Sequence, residues 1–119
     1  MGKDRGPSIE FHAMNVNLAT LLSTLRAGLT TRYGPRLRGL YLCGSFARGE
    51  ADEESDVDIL VVLDDFVRYG REVDLVSELT SALSLQHGVS ISSVFVRERE
   101  WLSGETPFLA NVREEAIAA

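Results

Sequence analysis

Two aspartates, Asp56 and Asp58, stand two residues apart at the start of the aliphatic run Val57–Leu63. If this run is a strand, both side chains point to the same face of its sheet. Neighbouring carboxylates repel each other and are costly to desolvate, so packing does not explain them there. A divalent cation that prefers oxygen ligands, magnesium or manganese rather than zinc, would relieve the repulsion. The alternative is a pair of capping or loop carboxylates just outside the sheet, which is the favoured interpretation of an isolated Asp-x-Asp.

A second group of candidate residues, Gly44, Ser45 and Arg48, follows a shorter apolar stretch. The glycine would let another molecule approach the backbone closely. Ser45 could cap a short helix whose free N–H groups attract phosphate oxygens, and Arg48, one turn later, could clamp a phosphate. The plainer interpretations are a helix cap alone for Ser45 and, for Arg48, a salt bridge to the acidic residues after it.

The spacing of apolar residues predicts the elements that must position these side chains. The continuous aliphatic run Val57–Leu63 is typical of a central strand buried on both faces. Helix signals include the stop at Gly34-Pro35 and the cap-and-proline start at Thr106-Pro107. The order predicts an α/β fold in which helices cover a three-stranded sheet. The predicted elements are a helix at about 11–32, a strand at Leu40–Cys43, a short helix, a strand at Val57–Leu63, a helix near 68–86, a strand at Val89–Val96 and a helix from Thr106-Pro107 to about 117.

Composition narrows the class of protein. A chain of 119 residues, 45% hydrophobic and 25% charged, predicts one globular domain over residues 1–119, with residues 1–8 as a loose arm. The net charge of −6 argues against non-specific binding to nucleic acid. The single cysteine, Cys43, excludes a disulfide framework and a cysteine-based zinc cluster. No apolar run could span a membrane and no signal peptide is visible, so a cytoplasmic location is expected.

The two groups of candidate residues form one motif. Residues 44–58 read GSFARGEADEESDVD, so Gly-Ser ends one strand and, ten residues later, an aspartate pair opens the next. This pattern, GS-x10-DxD, resembles the nucleotidyltransferases of the DNA polymerase beta superfamily. In this form it is similar to the minimal nucleotidyltransferases, which are small stand-alone domains of bacteria and archaea. The order of elements supports the resemblance over about 37–97, and the tail TPFLANVREEAI is similar to the tails of some members.

The resemblance implies a small mixed β-sheet with flanking helices. It implies transfer of a nucleoside monophosphate from ATP or another nucleoside triphosphate to an acceptor hydroxyl, with release of pyrophosphate. Gly44 and Ser45 would hold the triphosphate, Asp56 and Asp58 would hold two Mg²⁺ or Mn²⁺ ions, and Arg48 would assist nucleotide binding. Minimal nucleotidyltransferases often pair with a small helical HEPN protein, frequently a toxic RNase, which implies a protein partner of that kind.

One position departs from the pattern of this family. Members usually carry a third carboxylate on a later strand, where it binds metal and activates the acceptor hydroxyl, but here GVSISSVFV places Ser90 there. Asp74 falls inside a predicted helix, and Glu98 and Glu100 follow the end of the strand. Loss of a positioned general base typically costs about 10²–10⁴-fold in rate.

Three functions remain open at this point. The first is a nucleotidyltransferase whose activity is weak or is completed by a partner. The second is an inactive nucleotide-binding or antitoxin module that acts through a HEPN-type partner. The third and plainest is a domain in which the motif is vestigial.

Overall fold

The computed structural model describes residues 17–119. The predicted arm at 1–8 and the first part of the helix predicted at about 11–32 lie outside the described residues. The elements are, in chain order, helix α1 (Leu18–Tyr33), a 3₁₀ turn (Gly34–Arg36), strand β1 (Leu37–Cys43), helix α2 (Gly44–Arg48), strand β2 (Val57–Leu63), helix α3 (Tyr69–His87), strand β3 (Ile91–Arg97), helix α4 (Glu98–Ser103), helix α5 (Pro107–Glu115) and strand β4 (Ile117–Ala118).

Local signals set the ends of the helices. Asn17 caps α1, because its side-chain oxygen accepts a hydrogen bond from the Thr20 N–H at 3.1 Å. Gly34 ends this helix with a φ of +56°, as the Gly34-Pro35 signal predicted. Thr106 Oγ1 accepts from the Leu109 N–H at 3.1 Å at the start of α5, which confirms the predicted cap.

The strands form one mixed sheet in the order β3-β2-β1-β4. β2 is antiparallel to β1 and parallel to β3, and α3 makes the crossover that a parallel pair requires. The prediction of three strands is wrong by one, because Ile117–Ala118 pairs with the free edge of β1. These two residues follow the end of α5 at Glu115, so the last predicted helix also runs two residues too far.

β2 is the central strand and its aliphatic residues are buried on both faces, as its composition predicted. Val57, Ile59 and Val61 pack on the face covered by α1 and α3. Leu60 and Val62 pack on the opposite face, against residues of β3, α4 and α5. Because side chains alternate along a strand, Asp58 lies on the face covered by α4 and α5.

Other boundaries differ modestly from the predicted ones. β1 begins at Leu37 rather than Leu40, because Gly39 and Leu37 also pair with β2, with a bulge between them, although Arg38 and Gly39 interrupt the apolar run. β3 runs over Ile91–Arg97 instead of Val89–Val96, and the short helix α4 was not predicted.

Within residues 17–119, no helix has both the length and the hydropathy needed to cross a membrane.

Candidate functional site

The turn after β1 lies directly against Asp58. Cys43, the last residue of β1, pairs with Asp58 across the sheet. Gly44 follows with a φ of +70°, a conformation that residues with side chains rarely adopt. A Cβ at Gly44 would stand only 3.1 Å from Asp58 Cγ. A glycine at this position therefore allows the carboxylate and the backbone turn to lie in contact.

The two aspartates flank the first residue of β2 and influence each other electrostatically. Asp58 is half-buried as the second residue of β2, whereas Asp56 is exposed just before the strand begins. Burial raises the pKa of Asp58, and the charge of Asp56 raises it further. Arg48 lowers this pKa and Glu115 raises it. The carboxylate pair thus carries the mutual repulsion expected from its spacing.

Arg48 is bonded to two carboxylates. Its Nε donates to Glu50 Oε1 at 2.9 Å, which is the plainer salt bridge that the sequence suggested. Its Nη1 lies 3.3 Å from each carboxylate oxygen of Glu115, the last residue of α5. The Gly44 N–H also donates to Glu115 Oε1, at 3.2 Å. A carboxylate from the C-terminal part of the chain therefore contacts two of the groups predicted to bind phosphate.

Ser45 does not have the capping role that was predicted for it. The short helix α2 starts at Gly44, so Ser45 is its second residue and the N-cap is Cys43, which makes no side-chain cap hydrogen bond. The helix begins at Gly44, two residues earlier than it would with a serine cap at Ser45. The Ser45 carbonyl accepts the Glu50 N–H at 2.8 Å.

A cavity of about 270 Å³ opens on this face of the sheet. Its polar end is formed by Gly44, Asp58, Ser92 and Glu115, and its wall is apolar. In the described part of the chain, Ser45, Asp56 and Arg48 are not part of this lining. Of the candidate residues in the motif, only Gly44 and Asp58 line this cavity. The apolar wall consists of Leu60, Val94, Phe108 and Val112, with Cys43 at the Gly44 end. Ile59, whose side chain packs on the opposite face, borders the cavity between Asp58 and Leu60.

β3 presents serines to the aspartate pair. The Val57 N–H donates to the Ser90 carbonyl at 2.8 Å, so Ser90 lies beside the start of β2, and it is exposed. Asp58 pairs with Ser92, a cavity residue that the sequence analysis missed, although its alternation with Ser90 in GVSISS placed both on one face. Across residues 17–119, no three or more His, Cys, Asp or Glu side chains are grouped to hold a metal ion.

The other acidic residues near β3 in sequence lie elsewhere. Asp74 is exposed on α3, as expected. Glu98 pairs with Arg38 at 3.0 Å and Glu100 with Arg97 at 3.4 Å, at the end of β3 opposite to Ser92. The titratable residue that pairs with Asp58 is Cys43. Burial raises the pKa of its thiol to about 11, and the negative charges of Glu115 and Asp58 contribute to this rise.

The chain is similar to proteins of known family. A sequence model described as a nucleotidyltransferase domain matches residues 22–117. A candidate protein adenylyltransferase of Methanocaldococcus jannaschii is 41% identical over 71 residues, covering 59% of this chain and 64% of the relative, so the match spans less than two thirds of that relative. The protein adenylyltransferase MntA of Thermococcus cleftensis is 35% identical over 69 residues, which are 58% of this chain and 68% of that protein.

Solved structures share the architecture. A candidate minimal nucleotidyltransferase is 33% identical with a TM-score of 0.52, covering 84% of this chain and 93% of that one. A candidate nucleotidyltransferase of Sulfolobus solfataricus has a TM-score of 0.66 at 20% identity, over 99% of this chain and 89% of the other, a likeness of fold alone. A toxin–antitoxin structure with AMP-PNP has a TM-score of 0.55 at 23% identity, over 86% and 71% of the two chains, again a likeness of fold.

Proposed function

Because this chain belongs to the nucleotidyltransferase domain family, we propose that it transfers a nucleoside monophosphate, AMP first among the candidates, from a nucleoside triphosphate to an acceptor hydroxyl. The observation that carries the proposal is the contact between Gly44 and Asp58, in which a Cβ would meet the carboxylate. This contact brings the Gly-Ser half of the motif next to its aspartate half. The relatives named as protein adenylyltransferases support AMP as the group that is transferred.

In this proposal the backbone turn and Arg48 bind the phosphates. The Gly44 N–H and the Arg48 guanidinium already donate to a carboxylate, so their orientation suits an anionic oxygen. Ser45, in the first turn of α2, offers a further backbone N–H and a hydroxyl. These groups would orient the triphosphate so that its α-phosphorus lies toward Asp56 and Asp58.

Asp56 and Asp58 would hold the divalent cations. Their donor chemistry fits Mg²⁺ or Mn²⁺, because both offer hard oxygen ligands and Asp58 already has a pKa raised by burial and by Asp56. Two carboxylates supply fewer ligands than these ions require, so phosphate oxygens and water would complete the coordination. When bound, the cations would neutralise the triphosphate and stabilise the leaving pyrophosphate.

The acceptor side of the site has no carboxylate from β3. Ser92 pairs with Asp58, and Ser90 lies beside the start of β2, but an ordinary hydroxyl is a poor base. We therefore expect slow transfer by the isolated chain. A partner or the acceptor itself would have to supply the missing base for faster turnover.

The test compares aspartates at the two ends of one strand. The variants Asp58→Ala and Asp56→Ala should reduce transfer of labelled AMP from ATP by about 10²–10³-fold or more. Asp64→Ala is the matched control, since Asp64 follows the other end of β2 and should leave transfer unchanged. The assay uses Mg²⁺ or Mn²⁺ and candidate acceptor proteins, including the product of the neighbouring gene. Equal transfer by wild type and Asp58→Ala, or no transfer by wild type, would count against the enzyme.

A second candidate function is an antitoxin module that binds a HEPN-type protein. The absence of a carboxylate on β3 favours it, since binding would not need the complete catalytic set. The likeness of fold to a toxin–antitoxin structure with AMP-PNP is compatible with it. Co-purification and the mass of any complex test this function, and Asp58→Ala should leave such a complex intact. A protein that stays alone beside the product of its neighbouring gene would contradict it.

A further inference from the structure

We propose that the Glu115 carboxylate occupies a phosphate position in the nucleotide site, so that a nucleoside triphosphate must displace it to bind. The inference rests on the proposed function, because that function assigns the triphosphate to Gly44 and Arg48. Nothing in the motif itself points to Glu115, which lies 57 positions after Asp58 in the chain.

The contacts of Glu115 are those of a bound anion. Its Oε1 accepts from the Gly44 N–H at 3.2 Å and from Arg48 Nη1 at 3.3 Å. The second oxygen also lies 3.3 Å from Arg48 Nη1. One donor belongs to the turn after β1 and the other to the end of α2, and a carboxylate joins them. A phosphate oxygen offers the same charge and the same acceptor geometry.

The charge of Glu115 also opposes the approach of a triphosphate. It is close enough to Asp58 to raise the pKa of that carboxyl, and with Asp56 it makes three negative charges around the turn. Arg48 balances part of this charge, but Glu50 competes for its guanidinium at 2.9 Å. An incoming triphosphate would therefore meet repulsion until Glu115 moves or its charge is removed.

Glu115 can leave without unfolding the helix that carries it. Leu109 anchors α5 in the core with 6% of its surface exposed, and β4 pairs with β1 immediately after the helix. The Glu115 side chain is 31% exposed, so rotation about its own bonds gives the carboxylate a path to water. The backbone of this segment stays in place while the anion position is emptied.

Glu115 does not behave as a third metal ligand in this arrangement. No three acidic side chains are grouped to hold a metal ion anywhere in residues 17–119. Its bonds go instead to two donors on the phosphate side, the neutral Gly44 N–H and the positively charged Arg48. The geometry thus favours competition with phosphate over cooperation with a cation.

The experiment measures binding of ATP with Mg²⁺ by titration calorimetry. Glu115→Gln removes the charge but keeps an acceptor, and Glu115→Ala removes both. We expect both variants to bind ATP about two- to fivefold more tightly than wild type, which is the effect of losing one partly exposed ion pair. Glu114→Gln is the matched control, because it removes the same charge from an exposed neighbour and should leave affinity unchanged. Inorganic tripolyphosphate should show the same ratio as ATP.

The outcomes separate this inference from the proposed function. If wild type binds ATP and the Glu115 variants bind it equally or more weakly, the inference is wrong and the proposed function stands. A gain for ATP without a gain for tripolyphosphate also overturns it, since the effect would then come from the base or sugar. No binding by any variant overturns both. Thermal melts check that each variant is folded. If Glu115→Ala does not fold, the result for Glu115→Gln decides the question.

Discussion

The two ends of strand β2 shift the pKa of an aspartate in opposite directions. At the motif end, Asp58 lies against Gly44, and burial together with Asp56 raises its pKa. At the other end, Asp64 accepts from the Asp65 N–H at 2.6 Å and from Arg36 Nε at 3.1 Å, and these bonds lower its pKa. We call this second region, with its arginine partners, the paired end. The same residue type is thus destabilised in its charged form at one end and stabilised at the other.

The neighbours of Asp64 extend this contrast. Asp65 is 2.9 Å from Arg97 Nε and 3.3 Å from Arg99 Nη1, and the Phe66 N–H and these arginines lower its pKa. The carboxylates at the paired end therefore form ion pairs with neighbouring arginines, as is common on protein surfaces. At the motif end, the carboxylates of Asp56, Asp58 and Glu115 outnumber the single arginine beside them, next to a cavity. Such an arrangement is typical of a site that awaits a cation or substrate.

The largest predicted effect on stability is from crowding the motif end with Gly44→Ala. The added methyl group would meet the Asp58 carboxylate, and the φ of +70° disfavours alanine. The left-handed backbone and the overpacking together should lower the free energy of unfolding by about 2–5 kcal/mol. Urea denaturation measures it. Gly49→Ala is the control, because Gly49 has a φ of +72° but open space around its Cβ position, and it should lose only about 1–2 kcal/mol. Equal losses would mean that the Gly44–Asp58 contact is unimportant.

A smaller effect is expected from removing one hydroxyl near the paired end with Tyr33→Phe. The Tyr33 hydroxyl donates to Glu72 Oε1 at 3.0 Å, and Glu72 is only 5% exposed. Loss of this bond leaves a buried carboxylate oxygen without its donor and should cost about 1–3 kcal/mol in urea denaturation. ATP binding should not change, since the bond is remote from Gly44.

Tyr41→Phe provides the matched control for that variant. Within residues 17–119, the Tyr41 hydroxyl makes no hydrogen bond, while its ring stacks on Trp101 with centroids 4.6 Å apart. Stability should therefore change by about 0.5 kcal/mol or less. A loss as large as that of Tyr33→Phe would show that the Tyr33–Glu72 bond is not the cause.

The smallest effects should have opposite signs in Asp58→Asn and Asp64→Asn. The folded pKa of Asp58 is raised, so its ionisation costs stability as pH rises, and Asp58→Asn should melt at a higher temperature than wild type near pH 7. The folded pKa of Asp64 is lowered, so Asp64→Asn should melt at a lower temperature there. The Asp58→Asn difference should shrink as pH falls from the raised folded pKa and be gone below about 4, where the unfolded carboxyl is protonated. The Asp64→Asn difference should persist to about 4 and disappear only as pH falls through the lowered folded pKa. Melting curves across this range check both signs, and two shifts of the same sign at pH 7 would contradict the contrast.

Local patterns predicted the elements that carry the motif. The bounds of β2, Val57–Leu63, are those predicted, because a continuous aliphatic run is buried on both faces only in a central strand. The start of α5 at Thr106 and Pro107 also follows from neighbouring residues. These features depend on interactions over a few positions in sequence, which spacing alone can reveal.

Features that depend on distant parts of the chain were not predictable in this way. β4 has only two residues and exists because α5 delivers them to the edge of β1. The place of Glu115 beside Gly44 follows from the same return of the chain. Alternation along GVSISS placed Ser92 on the same face as Ser90, but its pairing with Asp58 required the register of β2 and β3, which no local pattern specifies. The side chains around the motif were therefore harder to predict than the motif itself.

The buried thiol next to the site has a practical consequence. Cys43 is the sole cysteine, and with a pKa of about 11 it remains protonated near neutral pH. Because the thiolate is the reactive form, alkylating agents and mild oxidants will modify it slowly. Departure of Glu115 or neutralisation of Asp58 would remove the charges that oppose ionisation. Replacing Glu115 or Asp58 by an uncharged residue should therefore speed alkylation of the thiol.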